Sequence, residues 1–578
     1  MRFLQMALTL CLVFFTNCND DTTSSSGTQL HPLPSVEVQE IWVDIDTDLW
    51  DEIRNTARSP EILIPVCGRG PFESPYEFVP ATVTIDGETV ENVGVRTKGW
   101  WGSVNPSRPS LIIDFDEFVK GQRFHEIERM TLNNNNHDPS NMHTCFTFQT
   151  FRKIGYPAPK CGYAHVVVNG KNLGVYSSVE PIKKPFLRDN FGSDEGHLYE
   201  SQLSDFMDSN IDSWEQETDE ETPYDRSDLD AVMTALEADD DTLLSELGDV
   251  IDLEKFYTFW AIEVLISFWD GYSGDQNNCY IYNEPATGKF VFIPWGPDDS
   301  FEPPAPSLYI TSVGPLYANS SVSNRLYKHP EARAQFIAEL KRVYELVWGD
   351  NELQGLVGHT RTALEPYVSQ EFNPDFIAET HVLEQFMTSH KNNVYNTLIA
   401  PANPPDYPYG AKSVCFPTMP VPQSFSITFS TKWNSVPYDG SSTISAFTVP
   451  GAQTLDPIFF QAVYSASAAS TIESDVLGMG NVSLTFFQVF LDSSYTPTGQ
   501  LLGIMLSLSP DKFLSEEPIM IENLTTCGLK IYLLNYNDPN SVLLDDVVTS
   551  GTLTLTQSGM DEGDTIEGTF EGELVSLW

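Results

Sequence analysis

Positive charge is scarce in this sequence: 31 Lys and Arg stand against 81 Asp and Glu in 578 residues, a formal net charge of −50. Such an imbalance excludes recognition of nucleic acid or anionic lipid through a general basic surface. Cations, basic peptides and metal-bound nucleotides remain as partners. Beyond the first residues there is no apolar run long enough to read as a membrane span. Cysteine is sparse, eight in all, with no CxxC pair and no zinc-type cluster. Neither a G-x-S-x-G elbow for Ser/His/Asp catalysis nor a phosphate-binding P-loop is present. What is there is ample core material, 41% hydrophobic and 12% aromatic, in a length that favours two or three domains.

The N-terminus, MRFLQMALTLCLVFFTNCND, carries one early Arg, an apolar stretch from Phe3 to Phe15, and then Cys18 before a polar run. Residues 1–18 read as an export signal and 19–35 as a flexible tether. The pattern resembles a bacterial lipoprotein signal with Cys18 acylated in the cell envelope. Asn17 departs from the small residue usual before that cysteine, which keeps simple secretion open. In an exported chain some cysteines are bridged, and Cys415 with Cys527 is the preferred pair because both lie in the C-terminal part.

Two folded parts follow. Residues 36–400 alternate short strand-like runs with helical periodicity, which predicts an α+β domain. It opens on a mixed sheet with a helix near DLWDEIRNTA, then a helix over NMHTCFTFQTFRKIG and a hairpin turning at Asn169–Gly170. The acidic segment SQLSDFMDSNIDSWEQETDEETPYDRSD is poorly patterned and reads as a surface excursion. After the Pro-rich break APANPPDYPYG, residues 401–578 repeat strand-like runs with no helix, the pattern of an all-β sandwich.

The informative stretch is FWDGYSGDQNNCYIYNEPATGKFVFIPWGPDDSF, Phe268 to Phe301. Its two apolar runs flank NEPATG and should pair as an antiparallel hairpin, which brings the open ends together. Asn277 and Asn278 then lie beside Asp298 and Asp299, with Asp270 on the preceding loop. Oxygen-only groups of this kind suit magnesium or manganese held with phosphates, because hard cations prefer carboxylate and amide oxygens. The order Asp, Asn, strand-turn-strand, Asp is also that of protein kinases, with one Asp beside the acceptor hydroxyl and the later residues on metal. These residues would otherwise merely cap strands and turns.

Further motifs, VGVRTKGWWGS, SRPSLIIDFDEFVKGQRFHEIERMTLNNNNHDPS, YAHVVVNGKNLGVYSSVEPIKKPFLRDNFG and GHLYE, join that stretch in order. Over about residues 36–350 the chain resembles the CotH family, the spore-coat protein H type of secreted or surface-associated atypical kinases. The resemblance implies a kinase-like fold that binds ATP with Mg²⁺ or Mn²⁺ and phosphorylates Ser or Thr of exported proteins. Carried over by position, Asp270 is the catalytic Asp, Asn278 a metal ligand, and Asp298 the principal metal-binding acid, with Asp299 sharing the load. Gly296 stands where many members have an Asp. Arg108 takes the place of the phosphate-binding Lys, Lys98 is its possible substitute, and Glu180 is the hairpin-end Glu that would orient either cation. His137 and His143 lack a third nitrogen or sulfur ligand and do not read as a zinc pair.

Three functions are therefore weighed. The first is an exported kinase acting on a surface or secreted acceptor, possibly basic and Ser-rich. The second is a non-catalytic surface-binding relative on the same scaffold, suggested by Arg108 and Gly296. The third, a metal-dependent phosphate-ester hydrolase, has no motif of its own.

Overall fold

A computed structural model describes residues 36–57, 74–99, 103–218, 224–303, 312–349 and 351–411, together with strands and a few flanking residues between Gln423 and Leu577. Cys18, the tether, and Cys415 with Cys527 lie outside the described residues.

The first part is built from β1 (Val38–Ile45), α1 (Thr47–Asn55), β2 (Val79–Ile85), β3 (Glu88–Lys98), β4 (Ser110–Asp114), β5 (Arg129–Asn133), α2 (His143–Lys153), β6 (Cys161–Val168) and β7 (Lys171–Val179). Its sheet does not stay open. The strands close into a barrel in the order β1-β2-β3-β4-β5-β7-β6. An odd number of strands cannot close in a fully antiparallel ring, and the seam β1–β6 is accordingly the parallel pair. Alternation supplies the interior: Ile41, Val43, Val83, Ile85, Val95, Ile113, Leu132, Val166 and Tyr176 are buried together inside it. The β6–β7 hairpin turns at Asn169–Gly170, both in the left-handed region, as the sequence indicated. A disulfide between Cys145 and Cys161 ties α2 to the barrel.

The second part follows with α3 (Lys184–Phe191), β8 (Leu198–Glu200), β9 (Glu215–Gln216), α4 (Ser227–Leu236), α5 (Asp240–Val250), α6 (Leu253–Ile266), α7 (Tyr272–Asp275), β10 (Cys279–Glu284), β11 (Lys289–Pro294), α8 (Ser321–Lys328), α9 (Pro330–Trp348), α10 (Glu352–Leu364) and α11 (Phe376–Val394). Helix α6 is apolar on every side and buried from Phe256 to Ile266, so it is the central post of this part. A small sheet of order β11-β10-β8-β9 lies beside it. The acidic excursion is only partly a surface feature. Asp205, Phe206 and Trp214 are buried, and the two rings pack on Phe290, Phe292 and Tyr272, apolar demand that the acidic composition hid. Residues past Ala400 remain docked here: Tyr327 donates to the Pro405 carbonyl at 2.9 Å and Tyr407 to Asn319 Oδ1 at 2.7 Å. No helix among the described residues is long and apolar enough to cross a membrane.

Among the described residues the C-terminal part consists of strands β12 (Gln423–Lys432), β13 (Gly440–Ile444), β14 (Gln461–Ser465), β15 (Val482–Leu491), β16 (Pro497–Leu508), β17 (Ile519–Glu522), β18 (Gly528–Asn535), β19 (Val542–Gln557) and β20 (Thr565–Leu577). They pair as one nine-stranded sheet rather than two separate ones, with order β13-β12-β20-β19-β18-β16-β15-β14 and β17 branching onto β19. The edges β13 and β14 approach each other, so the sheet curls back on itself.

Candidate active site

The loop after α6 is held by a buried carboxylate. Glu263 accepts the backbone N–H of Tyr272 at 2.8 Å and of Ser273 at 3.1 Å. Gly271 lies so close that a Cβ there would come within 2.2 Å of Glu263 Oε1, so only glycine fits. Burial pushes the Glu263 carboxyl up to about 8, against the pull of those hydrogen bonds. This clamp presents Asp270 and, at the end of α7, Asp275.

β10 and β11 pair with Cys279 opposite Pro294, and Trp295 N–H donates to the Asn278 carbonyl at 3.0 Å. The open ends of the hairpin meet as the spacing predicted. Asn278 Nδ2 donates to the Asp270 carbonyl at 3.0 Å and to its Oδ2 at 2.5 Å. Asn277 Nδ2 lies 3.5 Å from Asp270 Oδ1. On the other strand the chain turns at Gly296, with φ +48°, where a Cβ would sit 2.4 Å from Asn278 Oδ1. That turn lets both Asp298 and Asp299 enter the cleft, which a continued strand would forbid.

Residues 298–302 are pinned from both sides. His143 Nδ1 lies 2.9 Å from the Asp298 carbonyl, His137 Nδ1 lies 3.2 Å from Asp299 Oδ2, and Thr147 and Ser300 share a 2.9 Å hydroxyl contact. Trp269 Nε1 reaches Glu302 Oε1 at 3.3 Å. From the barrel, Lys98 at the end of β3 extends Nζ to Asn133 Oδ1 at 2.9 Å and stands 5.5 Å over the Trp295 ring. Burial lowers its pKa while the charges of Glu200 and Asp298 raise it.

Acids dominate this cleft. Burial, then the charges of Asp275, Asp299 and Asp298, push Asp270 well above the usual carboxylate range. Burial and Asp299 raise Asp298 to about 6 and Glu302 to about 7, and burial raises Asp275 to about 7 although its hydrogen bond with Asp270 opposes that. Lys98 and His137 are the cations that act on Asp298. His137 itself rises to about 9; burial disfavours its charge, but the hydrogen bond and charge of Asp299 outweigh that. Asp275 Oδ1 is out of solvent and has no hydrogen-bond partner. Half-buried carboxylates in excess over cations, one oxygen orphaned, fit a hard divalent cation. Asp298 and Asp299 would hold it, and it would neutralise charge on phosphate oxygens.

Two expected residues stand apart. Arg108 is buried in the barrel wall, where Nε donates to the Leu173 carbonyl at 2.9 Å and Nη2 to that of Val175 at 2.5 Å, between the rings of Tyr176 and Phe372. It joins strands there and is not brought to the acids. Glu180 accepts the Lys160 backbone N–H at 2.9 Å and its Nζ at 3.1 Å, so both of its carboxylate oxygens are engaged with Lys160. Asn133, Glu263, Asp275 and Glu302 were not singled out from sequence. For Asp275 a signal existed, since D-x-x-x-x-D matches the spacing from catalytic Asp to metal-binding Asn in kinases.

Comparison with known proteins gives the family of the chain. The chain is 27% identical to the inner spore coat protein H of Bacillus subtilis (strain 168) over 207 residues, 33% of this chain and 56% of that protein. It is 21% identical to the invasin CotH7 of Rhizopus delemar over 375 residues, 59% of this chain and 60% of that one. The chain thus spans a little over half the length of either relative. The family model described as CotH kinase protein matches residues 95–392, just over half of the chain, and the chain belongs to that family.

Proposed function

We propose that this protein is an exported, ATP-dependent kinase that transfers the γ-phosphate to Ser or Thr of surface or secreted proteins. The observation that carries the reading is the convergence of Asp270, Asp298 and Asp299 with Lys98 in one cleft between the barrel and the helical part. Asp270, oriented by Asn278, stands as acceptor of the hydroxyl proton. As the acceptor oxygen bonds to the γ-phosphorus, the bond to the bridging oxygen breaks, ADP leaves, and the proton passes to Asp270 and on to water. Lys98 supplies a cation to the phosphates in place of Arg108. A divalent ion on Asp298 and Asp299 would stabilise the charge on the transferring group.

Export is supported by the Cys145–Cys161 disulfide, which suits an oxidising compartment, and by relatives named for a spore coat and for invasion. The excess of acidic residues favours a basic acceptor. The test incubates the mature chain with labelled ATP, Mn²⁺ or Mg²⁺ and a basic Ser-rich protein. Label on protein is the expected outcome; free phosphate alone would indicate a hydrolase, and no turnover a binding protein.

A further inference from the structure

Protein kinases fix the lysine that contacts the nucleotide phosphates by pairing it with a helix glutamate. Lys98 is held differently. Helix α2, whose first turns contact the segment from Asp298 to Ser300, contains no acidic residue. Among the described residues no carboxylate makes an ion pair with Lys98; Glu200 and Asp298 act on it only through their charge. Neutral groups hold the ammonium instead. Its Nζ donates to Asn133 Oδ1 at 2.9 Å, and because an ammonium can only donate, the amide oxygen is the end that faces it. The Trp295 ring lies against the same nitrogen, with its centroid 5.5 Å away. Both partners are fixed by their own strands. Lys98 closes β3 opposite Ser110, and Asn133 closes β5 on the far side of β4, paired with Ser177 of β7. The next residue, Asn134, anchors that strand end: its N–H donates to Ser110 Oγ at 3.0 Å, and its Nδ2 to the carbonyls of Ser103 at 3.0 Å and Arg108 at 2.8 Å. Trp295 follows β11, donates its backbone N–H to the Asn278 carbonyl at 3.0 Å and meets the Tyr280 ring edge-on at 5.5 Å.

We infer that Asn133 and Trp295 are the positioning residues of Lys98, aiming its ammonium with an amide oxygen and an indole face and leaving its charge uncompensated for phosphate. The inference deepens the kinase reading and rests on it only for the identity of the anion. A lysine held by a carboxylate has its field largely cancelled at close range, whereas an amide and an indole carry no net charge. The barrel rim therefore offers a full cation to the cleft.

The test reads the chemistry of Lys98 itself. Only the neutral amine reacts with acetic anhydride, and both partners favour the ammonium, so their loss speeds acetylation. The full mature chain is pulse-labelled near neutral pH and acetylation of Lys98 followed by peptide mass spectrometry, with exposed Lys120 as reference and buried Lys153 as reporter of unfolding. Asn133→Ala and Trp295→Leu should each raise the Lys98 rate about threefold or more, and Asn133→Asp should lower it, with Lys153 unreactive throughout. Trp295→Met stands in if the Leu variant unfolds. Opposite effects of Ala and Asp are what a merely structural Asn133 would not give. ADP with Mn²⁺, titrated calorimetrically, should bind about threefold or more weakly to both Asn133 variants, because Ala loses the aim and Asp cancels the charge. Unchanged Lys98 labelling in folded Asn133→Ala or in the folded Trp295 variant would overturn the inference. So would faster labelling in Glu200→Gln with none in Asn133→Ala, which would make Glu200 the partner. The two readings separate cleanly. Labelling that responds as described in a protein that binds no nucleotide upholds the positioning and sinks the kinase; nucleotide binding with unresponsive labelling does the reverse.

Discussion

Raising the pH should destabilise the metal-free protein, and the acids of the cleft set by how much. A carboxyl whose folded pKa is raised favours the fold while protonated; that contribution is complete below the unfolded value and is lost as pH rises through the folded one. Asp275 moves from 3.8 to about 7, Asp298 from 3.8 to about 6 and Glu302 from 4.5 to about 7. At about 1.4 kcal/mol per unit, Asp275 alone represents roughly 4 kcal/mol between pH 4 and 8. The others share Asp299 as a neighbour and do not add in full. His137, raised to about 9, acts with the same sign, because its contribution is lost as pH rises through that value. For a domain of this size the change corresponds to a fall of roughly 5–10 °C in melting temperature. Differential scanning fluorimetry in chelator from pH 4 to 8 measures it. Mn²⁺ at a hundred times its Kd should restore about 2.7 kcal/mol at pH 8 and much less at pH 5, where protons compete. A melting temperature that is flat or rises in chelator, or a metal shift equal at both pH values, would refute the reasoning.

Other outcomes follow from single side chains. Asp298→Asn keeps the volume but removes a charge, and should lower phosphate transfer about a hundredfold or more. Because the turn at Gly296 brings Asp299 into the cleft as well, Asp299→Asn should lower it by a similar factor; kcat for the pair measures this, and an active Asp299→Asn would remove Asp299 from the ligands. Arg108→Met leaves the Leu173 and Val175 carbonyls unpaired in the barrel wall and should cost about 2–4 kcal/mol of stability by denaturant unfolding, with nucleotide affinity of the folded fraction unchanged. Opening Cys145–Cys161, a separation of 16 residues, by a double Ser substitution should cost about 3 kcal/mol, read as a lower melting temperature that reducing agent no longer alters.

Local chemistry decided what the sequence disclosed. The β10–β11 hairpin, the turn at Asn169–Gly170 and the buried helix α6 all rest on periodicity or turn residues within a short window, and each is found where those signals lie. Barrel closure rests on the pairing of β1 with β6, more than a hundred residues apart, and nothing local encodes it. The same distinction separates the site residues. Asp270 and Asn278 sit on one loop and could be read together. The identity of the cation could not, because whether Lys98 or Arg108 faces the acids depends on which side of the barrel wall each side chain leaves. Asp205 and Trp214 were hidden by the acidic residues around them, since average polarity says little about a few buried anchors.

Gly296 has a consequence for anyone tempted to repair this protein toward its relatives. A side chain there would enter the space held by Asn278 Oδ1, on a backbone that already favours glycine. Introducing Asp at 296 therefore does not add a ligand to an otherwise unchanged centre; it first evicts the amide that orients Asp270. The two positions are epistatic, and the order of substitution matters: position 278 must yield before an acid at 296 can be accommodated, so a one-step reversion is expected to lose function.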